Sequence, residues 1–268
     1  MHNLITNFDQ IIDFAERMQV PVERRRGILR EYLQAKFIAT LYSLPNSKKL
    51  SFVGGTSLRL LRNLNRFSED LDFDNLGLSN DEIADLVKEV VRRFQTEGLI
   101  VELKAQIKEA KTYFDIKFPS LLKELNLTAN PKEKLMIKFD YADYWKGQDK
   151  EVMLLNKYGL IENVVVNGLN QVMAQKLTAY VQRNITQPRD VYDIVWLYSQ
   201  GARIDRTFAL KNGVPNIVQE AQGRYSSEGS PKGFKNRLQP FLFNPEELKK
   251  LDLFENVLKD LRDDQSLA

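Results

Sequence analysis

The sequence predicts an α+β fold in which a domain with a small mixed β-sheet is followed by a helical C-terminal domain. Two observations carry this prediction. Segments with alternating apolar and polar side chains, which are typical of strands, lie before residue 168. After that point, apolar residues recur every three or four positions, as on one face of a helix. We therefore expect an α/β domain with N-terminal helices over residues 1–167 and a helical domain over residues 168–268.

The composition argues against several kinds of reaction. The chain of 268 residues has no cysteine, and its single histidine is His2. Disulfides, thiolate metal sites and cysteine nucleophiles are therefore excluded, and histidine-based hydrolysis and histidine-ligated zinc are disfavoured. The chemistry has to use carboxylates, lysines, hydroxyls and a hard metal ion. This set favours phosphoryl or nucleotidyl transfer.

The sequence shows no sign of membrane insertion or export. No apolar run approaches the length of a membrane span. The N-terminus lacks the basic start and apolar core of a signal peptide. We therefore expect a cytoplasmic protein with no membrane partner.

The basic residues are unevenly distributed. The net charge is +3, and eight basic residues against two acidic ones lie between Arg17 and Lys49. Much of this stretch belongs to the second of two predicted helices, over residues 4–19 and 22–42. It either contacts nucleic-acid phosphates or forms a solvated helix face.

The stretch after these helices organises the fold. A short apolar strand at Phe52 breaks at Gly54 and Gly55, where the backbone can turn sharply and expose its amides. Thr56 and Ser57 follow and can cap a helix or bind an anion. A short helix over residues 58–64 comes next, with Leu58, Leu61 and Leu64 on one face.

Two aspartates then lie on one strand. In a strand, alternate side chains share a face, so Asp70 and Asp72 point the same way while Leu71 and Phe73 point into the core. Carboxylates on one face are the hard oxygen ligands that Mg²⁺ or Mn²⁺ prefers, and such a metal bridges nucleotide phosphates. The alternative is a solvated acidic edge strand. The order of glycine turn, helix and paired aspartates favours the metal site.

The remainder of the first domain supplies a third carboxylate. A helix capped at Ser79 or Asn80 runs to about Thr96, strands are predicted over residues 99–108, 112–118, 134–141 and 161–166, and residues 144–158 read as a loop. Asp140 lies on the polar face of the third of these strands. A two-metal site needs a carboxylate on a neighbouring strand, and Asp140 is its best candidate. Asp115 and Asp143 are weaker candidates.

The helical domain carries two further polar positions. Predicted helices cover residues 169–183 and 188–199, and a terminal helix starts near Asn244, after a loop over residues 225–233. Asp190 and Asp193 lie in the first turns of the second helix, where negative charge is favourable. By spacing alone, Lys176 is a solvated lysine and both aspartates are first-turn charges.

The motifs together resemble the polymerase-beta-like nucleotidyltransferase superfamily. Gly-Gly-Thr-Ser-Leu, followed by Arg-Phe-Ser-Glu-Asp-Leu-Asp-Phe, resembles its AbiEii/MenT branch of toxins from bacterial toxin–antitoxin and abortive-infection systems. The later stretches Gln-Lys-Leu-x-Ala-Tyr-x-x-Arg and Arg-Asp-x-Tyr-Asp-Ile are similar to later motifs of that branch. The resemblance covers residues 52–194.

The resemblance implies roles for individual residues. It implies that Asp70 and Asp72 hold metal, that Lys176 contacts the triphosphate and that Asp190 is a catalytic or orienting acid. It makes Asp193 part of the helix scaffold. The predicted nucleotide-binding residues are Gly54, Gly55, Thr56, Ser57, Arg66, Ser68 and Lys176, and the predicted metal ligands are Asp70, Asp72 and Asp140.

The implied function is NMP transfer from a nucleoside triphosphate to an acceptor hydroxyl with Mg²⁺ or Mn²⁺. As in the family, the expected acceptor is the 3′ end of a tRNA, and a protein hydroxyl is the close variant. A cognate antitoxin is a possible partner, and phage defence is the expected setting. The alternative is a nucleotide-binding regulatory module with little transfer activity that acts through a protein partner.

Overall fold

The computed structural model describes residues 3–108, 111–229 and 233–266. The chain divides into two compact units. The first consists of Met1–Asn63, Phe67–Tyr144 and Val152–Val166, and the second of Leu64–Arg66, Trp145–Glu151 and Asn167–Ala268. Two short segments that precede residue 168 are therefore grouped with the helical unit.

The strands form one mixed sheet. They are β1 (Leu50–Val53), β2 (Asp70–Asn75), β3 (Glu102–Lys108), β4 (Lys111–Phe118), β5 (Leu135–Ala142), β6 (Lys150–Lys157) and β7 (Leu160–Asn167). Their order across the seven-stranded sheet is β3-β4-β5-β2-β1-β7-β6. β2 is antiparallel to β1 and parallel to β5, so that the two strands at the centre of the predicted site are neighbours.

The loop predicted over residues 144–158 is wrong, because β6 occupies much of it. β6 is an edge strand, and most of its residues are exposed or half-buried. Val152 and Leu154 on it are 68% and 57% exposed. Without a buried face, the strand lacks the regular alternation of apolar and polar residues that identifies strands in a sequence.

The first unit carries helices, and one of them packs on the apolar face of the sheet. They are α1 (Asn3–Thr6), α2 (Phe8–Arg17), α3 (Arg25–Tyr42), α4 (Gly54–Arg62), α5 (Asn80–Thr96) and α6 (Leu121–Glu124), with a 3-10 turn at Ser47–Lys49. On β5, the ring centroid of Phe139 lies 5.9 Å from that of Phe37 on α3. It lies 4.7 Å from that of Phe73 on β2. Because these rings turn inward, the residues that alternate with them on β2 and β5 share the other face.

The start of α5 matches its predicted cap. The Ser79 side chain accepts a hydrogen bond from the Glu82 backbone amide, and the Glu82 side chain accepts one from the Ser79 backbone amide. This reciprocal pair satisfies two amides that have no intrahelical acceptor.

A buried ion pair joins α4 to α3. Arg59 donates from Nε to Glu31 Oε2 at 2.8 Å and from Nη2 to Glu31 Oε1 at 3.0 Å. Tyr158 donates its hydroxyl to Glu31 Oε1 at 2.8 Å. Arg59 and Glu31 are 3% and 2% exposed. Arg59 can be buried because Glu31, from a distant segment of the chain, neutralises its charge. The sequence pattern of α4 alone does not reveal this partner.

The basic N-terminal stretch has acidic partners within the first unit. Arg25 Nη2 lies 3.3 Å from Asp9 Oδ1, and Arg30 Nη1 lies 3.0 Å from Glu69 Oε1. Arg26 is ion-paired with Glu133. These contacts favour the interpretation of a solvated helix face whose arginines pair with acidic residues of the same chain. They give less support to a phosphate-binding surface.

The second unit is helical in its main body. Its helices are α7 (Leu169–Gln182), α8 (Pro188–Ser199), α9 (Arg206–Lys211), α10 (Ile217–Glu228), α11 (Phe234–Leu238) and α12 (Phe254–Ser266), with 3-10 helices at Gln239–Phe241 and Pro245–Leu253. α10 extends through part of the predicted loop over residues 225–233, and residues 230–232 lie outside the described residues. The Tyr180 and Phe254 rings, 5.1 Å apart, pack α7 against α12.

Within the part of the chain that the structure describes, no helix is both long enough and apolar enough to cross a lipid bilayer.

Candidate functional site

Asp72 and Asp140 lie side by side on two parallel strands. In the register of β2 and β5, Asp72 pairs with Asp140 and Asp70 pairs with Lys138. Register partners project their side chains to one face of a sheet. The structure therefore brings the three predicted metal ligands together on the face opposite Phe73. Their binding of metal stays a prediction.

Gly54 lies against the carboxylate of Asp72. A Cβ atom added at Gly54 would lie 2.3 Å from Asp72 Oδ2. The φ angle of Gly54 is +75°, in the left-handed region that favours glycine. Both facts require glycine here, and the backbone at the start of α4 can thus approach the predicted metal ligand closely.

The hydroxyls of Thr56 and Ser57 bind the protein's own backbone. Thr56 Oγ1 donates to the Asp70 carbonyl oxygen at 2.5 Å, and Ser57 Oγ donates to the Phe52 carbonyl oxygen at 2.9 Å. Both side chains are buried, at 1% and 5% exposure. Their positions tie α4 to β1 and β2. If these two residues meet a phosphate, their backbone amides are the groups available at the helix start.

A buried amide positions the segment that enters β2. Gln34 on α3 is 1% exposed. Its Nε2 donates to the Glu69 carbonyl oxygen at 2.8 Å and to the Ser68 carbonyl oxygen at 3.2 Å. Sequence reasoning missed Gln34, although a polar residue within the apolar face of a helix was a signal. Ser68 itself is half-buried beside the predicted metal ligands.

Lys138 is the second residue that sequence reasoning missed. Its Nζ lies 3.3 Å from Asp140 Oδ2 and 4.4 Å from the centroid of the Tyr113 ring. Burial lowers the pKa of Lys138, but the charges of Asp140, Asp70 and Asp72 and the hydrogen bond to Asp140 outweigh burial and raise it. The signal was its spacing, because a residue two positions before Asp140 shares its face of the strand.

The donor set fits a divalent metal in its chemistry. Asp70, Asp72 and Asp140 supply hard carboxylate oxygens, and Gly54 leaves open the space beside Asp72 that a side chain would fill. Among the described residues, no group of three or more histidine, cysteine, aspartate or glutamate side chains is positioned to hold a metal ion. In this structure Asp140 is instead paired with Lys138.

Arg66, in the second unit, is bound to Asp193 of α8. Arg66 Nε donates to Asp193 Oδ1 at 2.8 Å, and Arg66 Nη2 donates to Asp193 Oδ2 at 2.7 Å. The two side chains are 1% and 0% exposed. The guanidinium is therefore buried in an ion pair with Asp193, and nucleotide binding by Arg66 stays a prediction.

Lys176 and Asp190 lie in the same charged cluster. Lys176 Nζ is 2.7 Å from Asp193 Oδ2 and 3.8 Å from Asp190 Oδ1. Arg183 Nε lies 2.8 Å from Asp190 Oδ2. Burial raises the pKa of Asp193, but the charges and hydrogen bonds of Arg66 and Lys176 outweigh burial and lower it. Asp193 thus has the place of a scaffold residue, while nucleotide contact by Lys176 and an acid role for Asp190 stay predictions.

The fold is similar to two solved structures from Helicobacter pylori. JHP933 has a TM-score of 0.53 and 19% identity, covering 90% of this chain and 95% of that chain. A candidate nucleotidyltransferase has a TM-score of 0.54 and 19% identity, covering 88% of this chain and 96% of that chain. At this identity the likeness concerns the fold alone, and it confirms the predicted α+β architecture.

The match to a protein family extends over more of the chain than the motifs do. Among curated protein sequences, none matches this chain. Residues 37–264, by contrast, match the family described as nucleotidyl transferase AbiEii toxin, type IV toxin–antitoxin system. Since the match spans most of the chain and includes every predicted site residue, this protein belongs to the AbiEii nucleotidyl transferase toxin family of type IV toxin–antitoxin systems.

Proposed function

We propose that this protein is a Mg²⁺- or Mn²⁺-dependent enzyme that transfers NMP from a nucleoside triphosphate to an acceptor hydroxyl. The observation that carries the proposal is the pairing of Asp72 with Asp140 on adjacent parallel strands, with Asp70 on the same face and the Gly54 backbone against Asp72. Carboxylates beside an open backbone turn suit a metal-bound triphosphate.

Asp70 and Asp72 would hold the metal, and Asp140 would complete its site. A divalent metal there neutralises the triphosphate charge and polarises the phosphate under attack. The three aspartates come from two neighbouring strands whose apolar faces are locked by the stack of Phe73 on Phe139. Their carboxylates are therefore held on a rigid part of the sheet, as precise positioning of a reacting phosphate requires.

The start of α4 would bind the triphosphate through backbone amides. Gly54 and Gly55 present their amides without covering side chains, and the amides of Thr56 and Ser57 follow in the first turn. The N-terminal end of a helix favours bound anions because its first amides lack intrahelical acceptors. The Gln34 amide would support the site by fixing the backbone of Ser68 and Glu69, which directly precede Asp70.

Lys176 and Asp190 enter the proposal through the family. The family resemblance assigns Lys176 to the triphosphate and Asp190 to catalysis or orientation. The salt bridge between Lys176 and Asp193 leaves the lysine side chain 13% exposed. Contact with a triphosphate would therefore be added to, or exchanged for, that salt bridge.

The proposed acceptor is the 3′ end of a tRNA, so that added nucleotides block aminoacylation. A protein hydroxyl is the variant. Membership of a toxin–antitoxin family supports a cognate antitoxin as a partner. Phage defence is the proposed biological setting.

Transfer can be measured directly. The protein is incubated with each radiolabelled nucleoside triphosphate, Mg²⁺ and total tRNA, alongside Asp72→Asn as the inactive control. Label in RNA that requires Asp72 supports the proposal, and label in protein identifies the variant acceptor. Saturable nucleotide binding without transfer would instead support the regulatory module.

A further inference from the structure

The carboxylate face holds a cation of its own. On β2, β5 and β4, which are adjacent in the sheet, six polar side chains form two rows. One row runs Asp72, Asp140, Tyr113, and the other runs Asp70, Lys138, Asp115. Register partners and alternate residues share a face, so that Lys138 lies among carboxylates on both neighbouring strands.

Lys138 is directed toward Asp140 within this arrangement. Its Nζ lies 3.3 Å from Asp140 Oδ2. The Tyr113 ring, 4.4 Å away, adds a cation–π contact from the next strand. Asp115, its register partner on β4, lies instead 3.7 Å from Lys117. The ammonium is therefore held on the side of the predicted metal ligands.

Electrostatic repulsion among the carboxylates explains why an ammonium group lies at this place. Carboxylates on adjacent strands repel one another in the absence of a cation. A bound divalent metal would supply the positive charge that offsets this repulsion, and Lys138 supplies it in the absence of metal. A divalent metal at Asp140 Oδ2 would take the oxygen that the lysine uses, so the two cations compete for this carboxylate.

We propose that Lys138 is a built-in counter-ion that competes with the divalent metal for Asp140. This inference rests on the proposed function, because it takes Asp70, Asp72 and Asp140 as the metal ligands. In the metal-free protein, Lys138 pairs with Asp140 and weakens binding of free metal. A metal that arrives with a triphosphate would be held by phosphate oxygens as well as by the aspartates, and it would displace the lysine. The Lys138 ammonium would then face the triphosphate.

The test is Mn²⁺ binding to the nucleotide-free protein, measured by calorimetry and by electron paramagnetic resonance. We expect Lys138→Met to bind Mn²⁺ about tenfold more tightly than wild type, since a repelling charge beside the ligands is removed. Lys138→Arg keeps the charge and should stay near wild type. Lys117→Met is the matched control: Lys117 is 30% exposed, against 31% for Lys138, and its partner is Asp115.

Thermal unfolding gives a second readout. Without metal, Lys138→Met should unfold at a lower temperature than wild type, and saturating Mn²⁺ should restore most of the loss. A merely structural lysine would give the lower unfolding temperature with unchanged Mn²⁺ affinity and no rescue, and that result overturns the inference.

The two proposals fail in different ways. If wild type transfers nucleotide but Lys138→Met binds Mn²⁺ no more tightly, the counter-ion role is wrong and the proposed function stands. If Mn²⁺ binding to Lys138→Met is unaffected by Asp72→Asn and wild type transfers nothing, the metal site itself is wrong and both proposals are lost.

Discussion

Asp72 and Asp140 are direct register partners on the parallel strands β2 and β5. They are distant in sequence, yet the pairing of the two strands brings their side chains to one face, with the Gly54 backbone on the other side of Asp72. A carboxylate with this double constraint cannot shift without disturbing either the strand register or the start of α4.

The first prediction concerns these aspartates. Asp70→Asn, Asp72→Asn and Asp140→Asn should each reduce transfer at least about a hundredfold, because loss of a metal ligand removes several kcal/mol of transition-state stabilisation. Single-turnover transfer rates measure this. Asp115→Asn, a similarly buried aspartate of the same face on β4, should retain most activity. Near wild-type turnover in the Asp72 variant would contradict the site.

The second prediction concerns Gly54. Gly54→Ala should abolish nucleotide binding and cost about 1–2 kcal/mol or more in unfolding free energy, since the new Cβ meets Asp72 Oδ2 and the positive φ disfavours alanine. Equilibrium denaturation and nucleotide titration measure the two effects. Gly77→Ala is the control, because Gly77 has φ +117° and nothing within 4 Å of an added Cβ. Equal nucleotide affinity in both variants would refute the role of the Gly54 turn in nucleotide binding.

The third prediction separates the two roles of Lys176. Lys176→Ala should weaken nucleoside triphosphate binding about tenfold or more, if the lysine neutralises phosphate charge. Binding is measured well below the unfolding temperature, so that lost stability does not contribute. Arg183→Ala serves as the control, because Arg183 pairs with Asp190 in the same cluster. Unchanged affinity in Lys176→Ala would leave the lysine as a structural partner of Asp193.

The fourth prediction concerns the buried pair of Arg66 and Asp193. Asp193→Asn should cost about 3–5 kcal/mol in unfolding free energy at pH 7, because it leaves Arg66 as an uncompensated buried charge. Denaturant unfolding measures the loss. Asp252→Asn, which removes a partner of the exposed Lys235, should change stability by about 1 kcal/mol or less.

The same aspartate predicts the sign of a pH effect. The pKa of Asp193 is lowered from its ordinary value of 3.8, so its contribution to stability is present above pH 3.8 and is lost as the pH falls below it. Wild type should therefore lose more stability between pH 7 and pH 3 than Asp193→Asn, for which this titration is absent. Parallel acid-unfolding curves would refute the assignment.

Local chemistry was enough to predict part of this protein from its sequence. The period of two in β2 placed Asp70 and Asp72 on one face, and the Ser79–Glu82 capping box marked the start of α5. Both depend on residues within a few positions of one another. The family motifs are likewise contiguous, and they identified the fold class that the comparisons confirm.

Other features depended on strand pairing and packing between distant segments. The sequence indicated Asp140 as a metal ligand but did not show that it is the register partner of Asp72. It also did not show that Lys138 lies among the carboxylates. The same limit applied to the ion pair of Arg66 with Asp193, because the two residues lie 127 positions apart in the sequence.

The physical reason is the range of each interaction. Helix caps, strand alternation and glycine turns arise from backbone geometry within a few residues, so the sequence by itself determined them. Strand register and buried ion pairs arise when the tertiary fold excludes water and brings opposite charges together across the chain. Only the tertiary structure therefore decided that Lys138 lies beside Asp70 of the neighbouring strand, and that Arg66 and Lys176 share Asp193.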